Sequence, residues 1–201
     1  VTIEPLRARS PVALPPAVWA DLDRAYTGPG RHYHTLEHLA ELADWVDAVA
    51  AGPGWRDLEA VWLALLFHDA VYDALAPKGQ NEEHSARLLL EAVPAADTAA
   101  RLVRATATHG AGGDAADPDE AHFLDADVAI LGAEPARFAR YEAQIEAEYA
   151  PRVGLAAYRA GRRVFLASMA GAAALFRTPF FGERLEARAR ANLARALAGP
   201  P

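Results

Sequence analysis

The residues with the most chemistry to offer are three histidines in Arg31-His-Tyr-His-Thr-Leu-Glu-His38, the pair His68-Asp69, His109, and Asp125-Ala-Asp127. His68-Asp69 closes the apolar run Val61–Phe67. An imidazole and a carboxylate taken out of water without partners cost several kcal/mol. A divalent cation held by both removes that cost, and this donor pair suits Mn, Fe, Co, Ni or Zn better than Ca. A lone His-Asp dipeptide is more often a histidine placed by the helix dipole. Its context here is different. His38 stands upstream on an amphipathic stretch, and Asp125-Ala-Asp127 stands downstream among Phe123, Leu124, Val128, Ile130 and Leu131. His34 is an alternative to His38, and Asp125 an alternative to Asp127. Thr35 is a good N-cap, which leaves His34 on a loop and fixes His38 in a first helical turn. That placement also weakens a competing match, because His34-Thr-Leu-Glu-His38 spells the His-x-x-Glu-His signature of inverzincin metalloproteases, which needs both histidines on one helix.

The elements that must carry these residues read as helices almost throughout. Pro15–Tyr26 has Val18, Trp19, Leu22 and Tyr26 at helical spacing, and the loop Thr27–His34 follows. Thr35 opens a helix with the stripe Leu36, Leu39, Leu42, Ala43 and Val46, stopped by Gly52-Pro-Gly54. Leu58–Val71 is apolar nearly all round and reads as a buried central helix. Further helices are expected over Asn81–Val93, Ala96–Thr108, Asp119–Leu131, Glu134–Tyr149, Pro151–Phe176 and from Thr178-Pro179 to Gly199, with His109–Asp117 a loop. No alternating strand pattern competes. The expectation is a single all-α domain over 1–201, a bundle of about eight helices.

Composition narrows the classes. The chain has 201 residues, a net charge of -7 and 52% hydrophobic residues, which argues against disorder and against electrostatic binding to nucleic acid or an anionic membrane. With no cysteine, zinc fingers, iron–sulfur clusters, disulfides and thiol nucleophiles are excluded. No apolar run reaches a membrane span, and no signal peptide is read at the start, so a cytoplasmic location is expected. Lys78 is the one lysine against nineteen arginines.

Taken in order, the motifs resemble the HD-domain superfamily of metal-dependent phosphohydrolases. More closely they resemble a small bacterial group of predicted HD phosphohydrolases. The matching segments are Tyr33–His38, Phe67–Asp73, Asn81–Ala86, Asp125–Gly132 and Tyr158–Arg162, within roughly residues 30–195. The resemblance implies an HD-like helical bundle. It implies His38, His68, Asp69 and Asp127 as ligands of one divalent ion (Mn, Ni, Co, Fe, Zn or Mg), with Asp69 also orienting the attacking water. The implied activity is hydrolysis of a small phosphorylated metabolite such as a nucleotide. His109 and His34 are candidates to protonate the leaving oxygen, and Asp73 and Glu82 to relay protons. Arg31, Lys78 and Arg162 are the candidate contacts to the anionic substrate. His84 reads as a solvated helix residue. The other class consistent with these motifs is a non-catalytic HD-type module that binds nucleotide and metal without turnover. The apolar run Val164–Phe176 suggests a homodimer face.

Overall fold

A computed structural model describes residues 2–108 and 117–199. Among them are ten α-helices and no strand. The helices are α1 (Glu4–Arg9), α2 (Pro16–Tyr26), α3 (Leu36–Ala50), α4 (Leu58–Phe67) and α5 (Gln80–Ala92), then α6 (Asp97–Ala105), α7 (Pro118–Asp127), α8 (Pro135–Val153), α9 (Leu155–Gly171) and α10 (Pro179–Ala198). Short 3₁₀ segments continue α6 over Thr106–Thr108 and α7 over Val128–Gly132. His109 lies outside the described residues.

The helix count exceeds the expected eight, and several ends move. The short α1 sits in a proline-bounded segment that carries too few residues for a periodic signal. Pro151 is expected to open a helix but lies inside α8, and the break falls at Gly154, whose φ of 85° and ψ of 142° are non-helical and favour glycine. The helix expected to run to Phe176 stops at Gly171. α4 stops at Phe67, with His68 as its C-cap, instead of continuing to Val71.

α4 forms the centre, as its composition dictates. Asp57 caps its N-terminus through the Ala60 amide, and every residue from Ala60 to Phe67 is buried. It packs against α3, α5 and α6, and α3 in turn packs against α7. α8, α9 and α10 form the other side, where α10 lies along the 3₁₀ segment after α7. That approach requires a glycine: a Cβ on Gly132 would stand 2.6 Å from Leu185 Cβ. Asn192 of α10, fully buried, donates to the carbonyls of Leu131 and Ala133 and fixes the same segment. No helix among the described residues is long and apolar enough to cross a membrane.

Candidate metal centre

Three segments bring four side chains to one point. Thr35 caps α3 through the Glu37 amide, so His38 sits in the first turn with its ring buried. His68 and Asp69 follow the last residue of α4, and Asp127 is the last residue of α7. His38 Nε2 and His68 Nε2 are 3.1 Å apart. Asp69 Oδ2 stands 3.0 Å from His68 Nε2 and 3.7 Å from His38 Nε2. Asp127 Oδ1 stands 3.2 Å from His38 Nε2 and 3.5 Å from His68 Nε2. Neighbouring ligands on an octahedral or tetrahedral ion with bonds of about 2.1 Å are separated by about 3.0–3.4 Å. The donor set therefore has the spacing of a coordination shell, and the group His38, His68 and Asp69 can hold a metal ion.

The tautomer agrees with this. His68 Nδ1 is 3.0 Å from the Leu65 carbonyl, an acceptor, so Nδ1 carries the proton and Nε2 presents its lone pair to the cluster. Lone pairs and carboxylates facing each other in a buried site need positive charge between them. In the metal-free protein a proton supplies it. Burial opposes charging His68, but Asp69 and Asp127 outweigh burial and push its pKa well above the ordinary imidazole range. Asp69 is correspondingly depressed: burial alone would raise it, and His68 and His34 more than reverse that.

The turn that carries His68 and Asp69 is held from three sides. Tyr26 Oη donates to the Leu66 carbonyl and accepts the Asp69 amide. Ser85 of α5 bonds both the amide and the carbonyl of Val71. Arg31 donates to the carbonyls of His34, Asp69 and Ala70 while its guanidinium lies over the rings of Tyr26 and Tyr72. Arg31 thus braces the site backbone, a different occupation from the phosphate contact expected of it.

His34 is placed beside the cluster by a residue that the motifs did not reveal. Glu148 of α8 is buried, and its Oε1 accepts the amides of His32, Tyr33 and His34 while Oε2 meets His34 Nδ1 at 2.6 Å. Burial would raise the Glu148 carboxyl, but His34 and the three amides bring it down to about 2. The His34 imidazole is raised: burial opposes its charge, and Asp69 and Glu148 overcome that. Its ring stacks on Tyr72 at 4.2 Å.

Asp125 is occupied elsewhere. Its carboxylate accepts the Arg177 and Thr178 amides and the Thr178 hydroxyl at 2.7–2.8 Å, so it joins α7 to the start of α10. Burial raises its pKa. Of the two aspartates in Asp125-Ala-Asp127, the second therefore faces the histidines.

A cavity of about 480 Å³ opens on the cluster. Its polar lining is His34, His38, Asp69, Asp127, Asn81 and Glu82, and α8 and α9 contribute Tyr141, Tyr149, Tyr158 and Phe165. Arg162 also lines it, but is paired with Glu142 and lies over the rings of Tyr141 and Phe165. Two expected residues are not brought to the cavity. Lys78 is exposed on the loop before α5. Asp73 is exposed, accepts the Leu75 amide and an Arg152 contact, and shapes its own loop with Asn81. The other histidines are accounted for: His122 is packed between Trp55 and Phe180, and His32 and His84 are exposed.

No family model matches the chain, and neither does any curated protein or solved structure.

Proposed function

We propose that this protein is a metal-dependent phosphohydrolase that cleaves a small phosphorylated metabolite of the nucleotide type, with His38, His68, Asp69 and Asp127 holding one divalent ion. The observation that carries this reading is the meeting of two imidazole Nε2 atoms 3.1 Å apart, each with an oxygen of Asp69 and of Asp127 at 3.0–3.7 Å, beside a cavity. The ordered motif resemblance to the HD superfamily supports the same reading. A bound divalent cation would supply the Lewis acidity that lowers the pKa of water from about 16 towards about 7 and offsets charge on phosphoryl oxygens.

The side chains divide the remaining work. Asp69, unprotonated, accepts a hydrogen bond from the attacking water and aims its lone pair at phosphorus. The bond from that water oxygen to phosphorus forms as the ester P–O bond breaks. His34 has Nδ1 committed to Glu148, so Nε2 is the nitrogen that delivers a proton to the leaving oxygen. Glu148, paired with Nδ1, favours the protonated ring. Arg31 acts at one remove, holding the Asp69 and His34 carbonyls in register.

The test is phosphate release from a panel of phosphomonoesters and nucleotides with Mn2+, Co2+, Ni2+ or Mg2+, with His68→Ala and Asp69→Ala as controls. Release that needs both a metal and these side chains is expected. Tight binding with no release would make the protein a binding module, and absence of both bound metal and release would overturn the proposal.

A further inference from the structure

The wall facing the candidate metal centre limits what the centre can accept. Resting on the phosphohydrolase reading, we infer that the substrate is a phosphate monoester whose alcohol carries a flat ring, and that di- and triphosphates are poor ligands.

The first argument is charge. A polyphosphate needs fixed cations along its length, because each further phosphate adds negative charge that one divalent ion does not neutralise. Among the described residues, Arg162 is the only arginine or lysine lining the cavity, and its guanidinium is engaged by Glu142. Arg31 gives three N–H bonds to backbone carbonyls, and neither it nor Lys78 lines the cavity. Residues 109–116, which are not described, contain no arginine or lysine. Acids are plentiful by contrast: Asp69, Asp127 and Glu82 line the cavity, and Glu82 makes no hydrogen bond or ion pair among the described residues. With two carboxylates balancing a divalent ion, the site holds little surplus positive charge, and a single phosphate brings the least negative charge to it. A triphosphate would face Glu82 with surplus charge.

The second argument is shape and polarity. The lining contributed by α8 and α9 is aromatic and apolar, from Tyr141, Ile145, Tyr149, Tyr158 and Phe165. The tyrosine hydroxyls there are partly committed, since Tyr72 and Tyr149 share a hydrogen bond of 2.6 Å. Such a wall gains from a flat ring by stacking and burial of apolar surface, and gains little from a sugar or a polyol. The cavity of about 480 Å³ has room for one phosphate and a ring system together.

Three probes separate the arguments. A nucleoside 5′-monophosphate and ribose 5-phosphate share the leaving oxygen and differ by the base, while a nucleoside 5′-triphosphate keeps the base and adds charge. Binding to the Mn2+-loaded protein is measured by titration calorimetry, and phosphate release is measured in parallel. The expected order is the monophosphate tighter than either other probe by about tenfold or more. Phe165→Ala and, as a milder change, Phe165→Leu are expected to narrow the gap between the monophosphate and ribose 5-phosphate, with metal content by elemental analysis as the folding control. Equal or tighter binding of ribose 5-phosphate, or of the triphosphate, overturns this inference. Absence of phosphate release from all three overturns the hydrolase reading, while the binding order still decides the substrate class.

Discussion

The two sides of the cavity are built to different tolerances. His38 and His68 stand on α3 and at the end of α4 with side chains 4% and 1% exposed, and the backbone around His68, at Leu66, Asp69 and Val71, is tied by Tyr26, Arg31 and Ser85. The facing side comes from α8 and α9, whose outer surface carries Leu155 and Val164 at 43% and 71% exposure. Fixed geometry is required where donor atoms must meet an ion within a few tenths of an ångström. It is less required where a ring is received by apolar contact. Under the proposed function, the α3–α4 side would hold the ion and the α8–α9 side would receive the substrate's ring.

The largest effect expected on the α3–α4 side is from Asp69→Ala or His68→Ala. Each should lower phosphate release by about a thousandfold or more, since loss of the ion removes several kcal/mol of charge stabilisation. Elemental analysis should show the metal gone. Retained metal and rate in either variant would erase the distinction between the two sides.

Asp125 and Asp127 provide a sharper contrast, being two residues apart with different partners. Asp125→Ala leaves the amides of Arg177 and Thr178 without an acceptor, and should cost about 3 kcal/mol of stability in a denaturant titration. The variant should still bind metal. Asp127→Ala should behave in the opposite way, losing metal affinity with a smaller loss of stability in the metal-free state.

Glu148→Gln probes the buried tie from α8 to the loop before α3. Glu148 is depressed to about 2 from an ordinary 4.5, so its contribution to stability is complete above 4.5 and is lost as pH falls towards 2. His34 is raised from 6.5, so its contribution is complete below 6.5 and is lost as pH climbs through the raised value. In chelator-treated protein the melting-temperature difference between wild type and variant should thus be widest between pH 4.5 and 6.5 and shrink on both sides. A difference that does not vary with pH would show that the pair is not the source of the stability. The smallest effect belongs to the outer surface of α9: Val164→Ser should change stability by less than about 0.5 kcal/mol, because the side chain is already in water.

These contrasts also mark what could be read from the sequence. The all-helical fold was legible because apolar residues recur at helical spacing, and α4 was legible as the centre because its run has no polar face. His68-Asp69 stood out because polar donors follow that run directly. Glu148 did not, since Glu142, Glu146 and Glu148 in α8 look alike as a charged face. Only the tertiary fold brings three amides of residues 32–34 to the third of them. A usable signal existed: an irregular, glycine-rich loop from Thr27 to His34 leaves amides that something must satisfy. The partners of Arg31 and Arg162 were hidden for a related reason, because an arginine bound to carbonyls or to a glutamate has the same sequence signature as one waiting for phosphate. Pro151 misled because a proline usually opens a helix, whereas here the glycine three residues later makes the break.

The central claim is that four side chains from three segments share one cation. A crystal grown or soaked with Mn2+ and measured near the manganese absorption edge tests it directly. The account predicts one strong anomalous peak bounded by His38 Nε2, His68 Nε2 and the carboxylates of Asp69 and Asp127. A cluster with no peak, or an ion bound instead at Asp125 or outside the cavity, would contradict it.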